Sequence, residues 1–221
     1  MSMTPERWTN ISTYLDEVFG QEDQHLRELM PDAIGRGVPD IAVSASVGRM
    51  LGVLLKMINA KTVVEVGTLA GYSTTWLARA LPDDGMVYAI EPDELHARIA
   101  REGFERAGIA HKVTVIVSTG LEALPCLVED LGEGAVDAVF LDAIKSEYPA
   151  YLPHSKRLLR SGGLLIADNA LGGGSWWIDD APGSSEDRDG ADGFNQLLAQ
   201  DPDFESFCTT IREGVAVGLK V

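Results

Sequence analysis

Asp142, Asp168 and Asn169 are the residues whose type and placement first suggest chemistry. Asp142 closes the apolar run "VDAVFLD", and Asp168 closes "GLLIAD", with Asn169 directly after it. Both runs read as strands, and ligands of parallel α/β sheets bind at the carboxyl ends of the strands. Three oxygen donors with no neighbouring His or Cys suit a hard cation such as Mg²⁺, with water or substrate filling the other positions. The plainer alternative is that the Asp-Asn pair caps the turn into Gly172-Gly173-Gly174. Lys145, three residues after Asp142, is near enough in sequence to face the same place, although a lysine is more often solvated.

A second set lies earlier, in "EVGTLAGYST" and "MVYAIEP". Gly67 and Gly71 allow a tight turn and close approach of the backbone to a ligand. The G-x-x-x-G spacing is neither the dinucleotide G-x-G-x-x-G nor a phosphate loop, which weakens readings as a nicotinamide oxidoreductase or a nucleotide hydrolase. Glu91 ends a strand where an acid can accept from ribose hydroxyls, or can cap the helix after Pro92. Glu65 sits inside an apolar strand, where a carboxylate is costly unless bonded, and it is placed to receive an ammonium group.

These residues need a scaffold that brings strand ends to a common edge. From residue 61 the chain alternates "TVVEVG", Tyr72 to Ala80, "MVYAIE", Glu94 to Ala107, "KVTVIV", Leu121 to Asp130, "VDAVFLD", Tyr148 to Leu159 and "GLLIAD". Strand alternating with helix implies a parallel sheet with helices on both faces. "FESFCTTI" and "VAVGLKV", separated by "REG", form an antiparallel hairpin. Before the core, helical periodicity covers Trp8 to Phe19, Gln21 to Met30 and Val47 to Ile58, with a break expected at Pro31 and "GRGVP". The segment 172–193, rich in Gly, Ser and Asp, reads as a mobile surface loop.

The 221 residues fit one domain, which buries roughly 70% of its unfolded surface. A formal charge of −16 disfavours nucleic acid and, more weakly, polyanionic substrates. Cys126 and Cys208 make no metal or disulfide pattern and read as buried small hydrophobes. "MSMTPERWTN" lacks a signal peptide, and Arg49 and Lys56 interrupt the most apolar long stretch, Ile41 to Ile58. A cytoplasmic protein with no membrane span is expected.

The order of these motifs resembles the cation-dependent O-methyltransferases, the class I S-adenosylmethionine enzymes that include catechol and caffeoyl-CoA O-methyltransferases. "IAVSASVGRMLGVLLKMINAKTVVEVGTLAGYSTTWLARALPDDGMVYAIE", "VFLDAIKSEYPAY", "LLRSGGLLIADNAL" and "GFNQLLAQDPDFESFCTTIREGVAVGLK" carry the likeness, which covers nearly the whole chain. It implies a Rossmann-like fold with a mostly parallel seven-stranded sheet and a C-terminal antiparallel hairpin. The single domain 1–221 would comprise N-terminal helices over 4–58, a core over 61–221 and a substrate loop over 172–193.

By the same resemblance, Glu65, Gly67, Thr68 and Ser73 line the amino-acid and ribose end of S-adenosylmethionine. Glu91 takes the ribose hydroxyls, Gly120 sits near the adenine, and Val43 makes a backbone contact with the cofactor. Asp142, Asp168 and Asn169 match the metal ligands, with Mg²⁺ preferred and Ca²⁺ or Mn²⁺ as alternatives. Lys145 matches the proposed base, with Asp142 serving both cofactor and catalysis. A homodimer is implied, to which the segment Trp8 to Phe19 contributes. Ile144 and Ser118 depart from the family pattern, and the glycine run replaces a more polar or aromatic stretch. Gly173, Trp176 and Trp177 lie in the substrate loop, where the two indoles either close over an aromatic ring or pack the loop down. His25, His96, His111 and His154 have no ligand spacing and receive no role.

The expected reaction is methyl transfer to a hydroxyl of a small aromatic acceptor, and the acid excess favours a neutral catechol-like molecule over a coenzyme A thioester. The competing readings are a metal-independent methyltransferase, a non-catalytic S-adenosylmethionine-binding module and an NAD-dependent oxidoreductase.

Overall fold

The structure is a computed structural model that describes residues 4–172 and 185–221. The chain comprises two compact units that meet in sequence between Thr119 and Gly120.

The first unit opens with three helices. α1 (Pro5–Phe19) is capped by Thr4, which accepts from the Arg7 amide, and its proline fills an N-terminal position where no amide hydrogen is needed. α2 (Gln24–Gly35) is capped by Asp23, and α3 (Ala45–Met57) by Ser44. Three parallel strands follow, β1 (Thr62–Val66), β2 (Met86–Ile90) and β3 (Val113–Ile116), hydrogen-bonded in the order β3-β2-β1. α4 (Tyr72–Ala80) connects β1 to β2, and α5 (Glu94–Ala107) leads toward β3. Asp93 caps α5 by accepting from the amides of Leu95 and His96, and Gly108 ends it in the left-handed region.

The second unit has four strands. β4 (Val136–Leu141) and β5 (Leu159–Asp168) pair in parallel; β7 (Val215–Lys220) runs antiparallel to β5 and to β6 (Phe204–Thr209), giving the order β4-β5-β7-β6. α6 (Gly120–Leu131), α7 (Tyr148–Leu158) and α8 (Ser185–Gln200) complete the unit. The strand-helix alternation and the terminal hairpin agree with the sequence reading.

Four expectations need correction. Pro31 does not end α2, which continues to Gly35. Arg27 and Pro31 are both exposed, so the carbonyl that loses its amide partner is open to water. β5 begins at Leu159 rather than Gly163, and the register shift between Val136 and Ala138 accommodates the extra residues against β4. Residues 185–193, read as loop, belong to α8: acids in its first turn complement the helix dipole despite a loop-like composition. Cys126 and Cys208 are exposed, because α6 and the outer strand β6 turn those positions away from the core. Among the described residues no helix is long and apolar enough to cross a membrane.

Gly71 shows how tightly the first unit is built. It has φ +87°, and a Cβ there would lie 2.5 Å from the Phe104 ring of α5. Its glycine therefore serves the packing of α4 against α5 as well as the turn. Gly71→Ala should lower the unfolding free energy by about 2–5 kcal/mol, combining left-handed strain with overpacking. Gly108→Ala, at φ +71° but with open space around it, should cost only about 1–2 kcal/mol. Urea denaturation of both variants measures the difference.

Candidate functional site

Two groups of side chains stand at the carboxyl ends of strands, one in each unit. In the first unit, Glu65 on β1 has 0% exposure. Its carboxylate accepts from Ser73 Oγ at 2.5 Å, from Thr68 Oγ1 at 3.3 Å and from Thr74 Oγ1. All three hydroxyls are buried too. Glu65 thus ties the end of β1 to the first turn of α4, and its charge is compensated inside the protein. Thr74 is a participant that sequence reading missed, since its spacing from Glu65 signals a contact only once the turn between them is known.

Glu91, 5% exposed, holds the same turn from the side. Its Oε2 accepts the Leu69 amide at 2.7 Å and its Oε1 the Asp93 amide at 3.0 Å, with His96 Nδ1 at 3.4 Å. Leu69 has φ +51°, an unusual conformation for a residue with a side chain. Gly67 has φ +95°, and the amides of Gly67 and Thr68 both donate to the Ile90 carbonyl. Val43 is buried immediately before the Ser44 cap of α3.

In the second unit, Asp168 ends β5 with 3% exposure, and its Oδ1 is buried without a hydrogen-bond partner. Burial first, and then the negative charge of Asp142, hold its carboxyl above the usual carboxylate range; Lys145 opposes them. Asn169 follows in the left-handed region. Its turn is fixed on both sides: Ala170 donates to the Gly214 carbonyl at 3.0 Å, and Asn195 Nδ2 donates to the Ala170 carbonyl at 2.6 Å. Lys145 Nζ bonds Asp142 Oδ1 at 3.0 Å, with both side chains largely buried, at 16% and 17% exposure.

The turn Lys145–Glu147 that carries Lys145 is held by α8. Asp187 accepts the Ser146 amide at 3.1 Å, and a Cβ on Gly190 would lie 2.4 Å from Ser146 Cα. Asp187, Gly190 and Asn195 escaped sequence reading because the first two sit in what looked like a loop. Gly120 begins α6 and is buried. Ile144 is 57% exposed. Gly173, Trp176 and Trp177 lie outside the described residues.

The donor set fits a hard cation. Among the described residues no group of three His, Cys, Asp or Glu side chains is placed to hold a metal, but two carboxylates and the amide of Asn169 make an oxygen set without one. An unpartnered buried carboxylate oxygen is costly in the absence of a positive charge, and a cation removes that cost.

The O-methyltransferase family model matches residues 16–221. The chain belongs to this O-methyltransferase family. The catechol O-methyltransferase of Niastella koreensis is 36% identical over 196 residues, covering 89% of this chain and 87% of its own. Caffeoyl-CoA O-methyltransferase 5 of Nicotiana tabacum is 34% identical over 209 residues, covering 92% and 87%. The O-methyltransferase TomG of Streptomyces achromogenes, solved in complex with SAM, has 33% identity and a TM-score of 0.84 over 100% of both chains. The fold is accordingly the Rossmann-like one of O-methyltransferases, with seven mostly parallel strands and a C-terminal antiparallel hairpin.

Within this O-methyltransferase, Glu65 has a structural duty that stands apart from any ligand. Glu65→Gln keeps the shape but turns an amide N–H₂ toward hydroxyls that donate. It should lower the unfolding free energy by about 2–4 kcal/mol with no ligand present. Thermal and urea unfolding of the ligand-free variant, matching the wild type, would show that the three hydroxyls do not depend on the carboxylate.

Proposed function

We propose that the chain transfers a methyl group from S-adenosylmethionine to a hydroxyl of a small aromatic acceptor, with a divalent cation held by Asp142, Asp168 and Asn169. The observation that carries this reading is the buried, unpartnered Oδ1 of Asp168 beside a left-handed Asn169. Relatives named for catechol and caffeoyl-CoA support a hydroxylated aromatic acceptor, and the SAM complex of the Streptomyces relative supports the methyl donor. The charge of −16 favours a catechol-like acceptor over a thioester bearing several phosphates.

The donor brings a methyl already activated on a sulfonium, and Mg²⁺ supplies Lewis acidity for lowering the acceptor's pKa. A phenol near 10 must be brought to about 7, which takes about 4 kcal/mol of selective stabilisation of the phenolate. The residues around β1 and β2 bind the donor: Glu91 accepts from ribose hydroxyls, and Glu65, Gly67, Thr68 and Ser73 shape the amino-acid end. Val43 and Gly120 add contacts through their backbones. Asp142 and Asp168 supply negative charge to the cation, and Asn169 a neutral oxygen. Lys145 Nζ donates to Asp142 Oδ1 in the structure. It takes the acceptor's proton or stabilises the developing oxyanion.

The same reading includes a homodimer. Ile11, Tyr14 and Val18 recur along one face of α1 and are 47%, 59% and 41% exposed, an apolar stripe of the kind that a second copy covers. Light scattering at micromolar concentration should give the mass of two chains for the wild type, and Tyr14→Glu should shift it toward one. A monomeric wild type counts against this part.

The activity itself is tested by exhaustive chelation. Methyl transfer to a catechol should fall at least 100-fold and return with Mg²⁺. Asp168→Ala should lower kcat at least 100-fold while S-adenosylmethionine affinity changes less than about 3-fold; Asn169→Ala should be milder, because water can replace a neutral ligand. Full turnover of the chelated enzyme would exclude the cation's role.

A further inference from the structure

Tyr148 begins α7 and is completely buried, at 0% exposure. Its hydroxyl lies 2.9 Å from the carbonyl oxygen of Leu141 and 3.2 Å from that of Asp168. These are the residue before Asp142 and Asp168 itself. The parallel ladder of β4 and β5 has its last matched pair at Leu141 and Ala167. The phenol therefore bridges the two strand ends at the point where the ladder's register stops. It has one hydrogen, so the bond is shared between the carbonyls or alternates between them. Its ring packs edge-on against Phe194 at 5.5 Å, and Lys145 Nζ lies 5.5 Å from the ring centroid.

We infer that Tyr148 is a positioning residue, whose hydroxyl ties the ends of β4 and β5 so that Asp142 and Asp168 serve one cation, while its ring seats the Lys145 ammonium. The inference rests on the cation assignment of the proposed function. Its physical basis is that two ligands on separate strands share an ion only if the strands keep a fixed separation, and small shifts of ligating oxygens weaken a metal strongly. A tyrosine that only filled the core would need no hydroxyl. The ring contacts with Phe194 and Lys145 are available to phenylalanine as well, so Tyr148→Phe removes the tie and keeps the packing.

The test measures Mn²⁺ binding by calorimetry on the full chain, without methyl donor or acceptor, for the wild type, Tyr148→Phe and Phe194→Leu. The wild type should bind Mn²⁺. Tyr148→Phe should raise the dissociation constant about 10–100-fold, the range seen for groups that orient metal ligands. S-adenosylmethionine affinity should change less than 2-fold. Phe194→Leu, which disturbs the ring but keeps the hydroxyl, should lose thermal stability and keep its Mn²⁺ affinity within about 3-fold. Equal Mn²⁺ binding by Tyr148→Phe and the wild type would overturn the inference while leaving the cation assignment intact. A loss in Phe194→Leu as large as that in Tyr148→Phe would overturn it too, by assigning the effect to packing. An unfolded Tyr148→Phe, seen by circular dichroism, would do the same, because a tie that only positions ligands leaves the core standing. Absence of Mn²⁺ binding by the wild type would overturn the cation assignment, and this inference with it.

Discussion

A carboxylate removed from water must find compensating hydrogen bonds or an opposing charge, and the molecule meets that demand in two different ways. Glu65 is satisfied internally: three buried hydroxyls converge on it, and the turn from β1 into α4 is fixed as a result. Asp168 is left incomplete, with one oxygen facing no donor and Asp142 adding like charge nearby. The first arrangement is closed on its own hydroxyls, and the second leaves a buried carboxylate oxygen without a hydrogen-bond partner. The surrounding structure follows this division. Glu91 holds Leu69 in the turn that follows Glu65, whereas Tyr148, Asn195 and α8 hold the strand ends and the Lys145 turn in the second unit.

Lys145 illustrates how one residue's chemistry is set by neighbours distant in sequence. Its ammonium is partnered by Asp142, lies near the Tyr148 ring and sits on a turn against which Gly190 of α8 packs without room for a side chain. Burial and the charges of Asp142 and Asp168 push the Tyr148 hydroxyl well above its ordinary range, so it stays protonated and acts as a donor, not a base.

Much of this was readable from the chain. The alternation of β-branched runs with helical periodicity located the parallel strands, and α4 and α5 fall where the periodicity put them. The acids at strand ends were visible because a carboxylate closing an apolar run is conspicuous. What escaped was of two kinds. Pro31 within α2 and the acid-rich start of α8 obey local chemistry that composition hides, namely a solvent-facing carbonyl and a helix dipole. The roles of Tyr148, Gly190 and Asn195 escaped because they exist only through contacts with carbonyls and turns. Glu65 was recognised as costly, but the partners that compensate it, Ser73 and Thr74 in particular, required the turn's geometry.

The central claim is that Asp168 Oδ1 is a metal ligand, and the most direct measurement is anomalous scattering from a crystal of the protein soaked in Mn²⁺. The account predicts one strong anomalous peak within about 2.0–2.6 Å of Asp168 Oδ1, with Asp142 and Asn169 contributing oxygens to the same ion. A peak that touches neither aspartate, or no peak while Asp168 Oδ1 is hydrogen-bonded to protein alone, would contradict it.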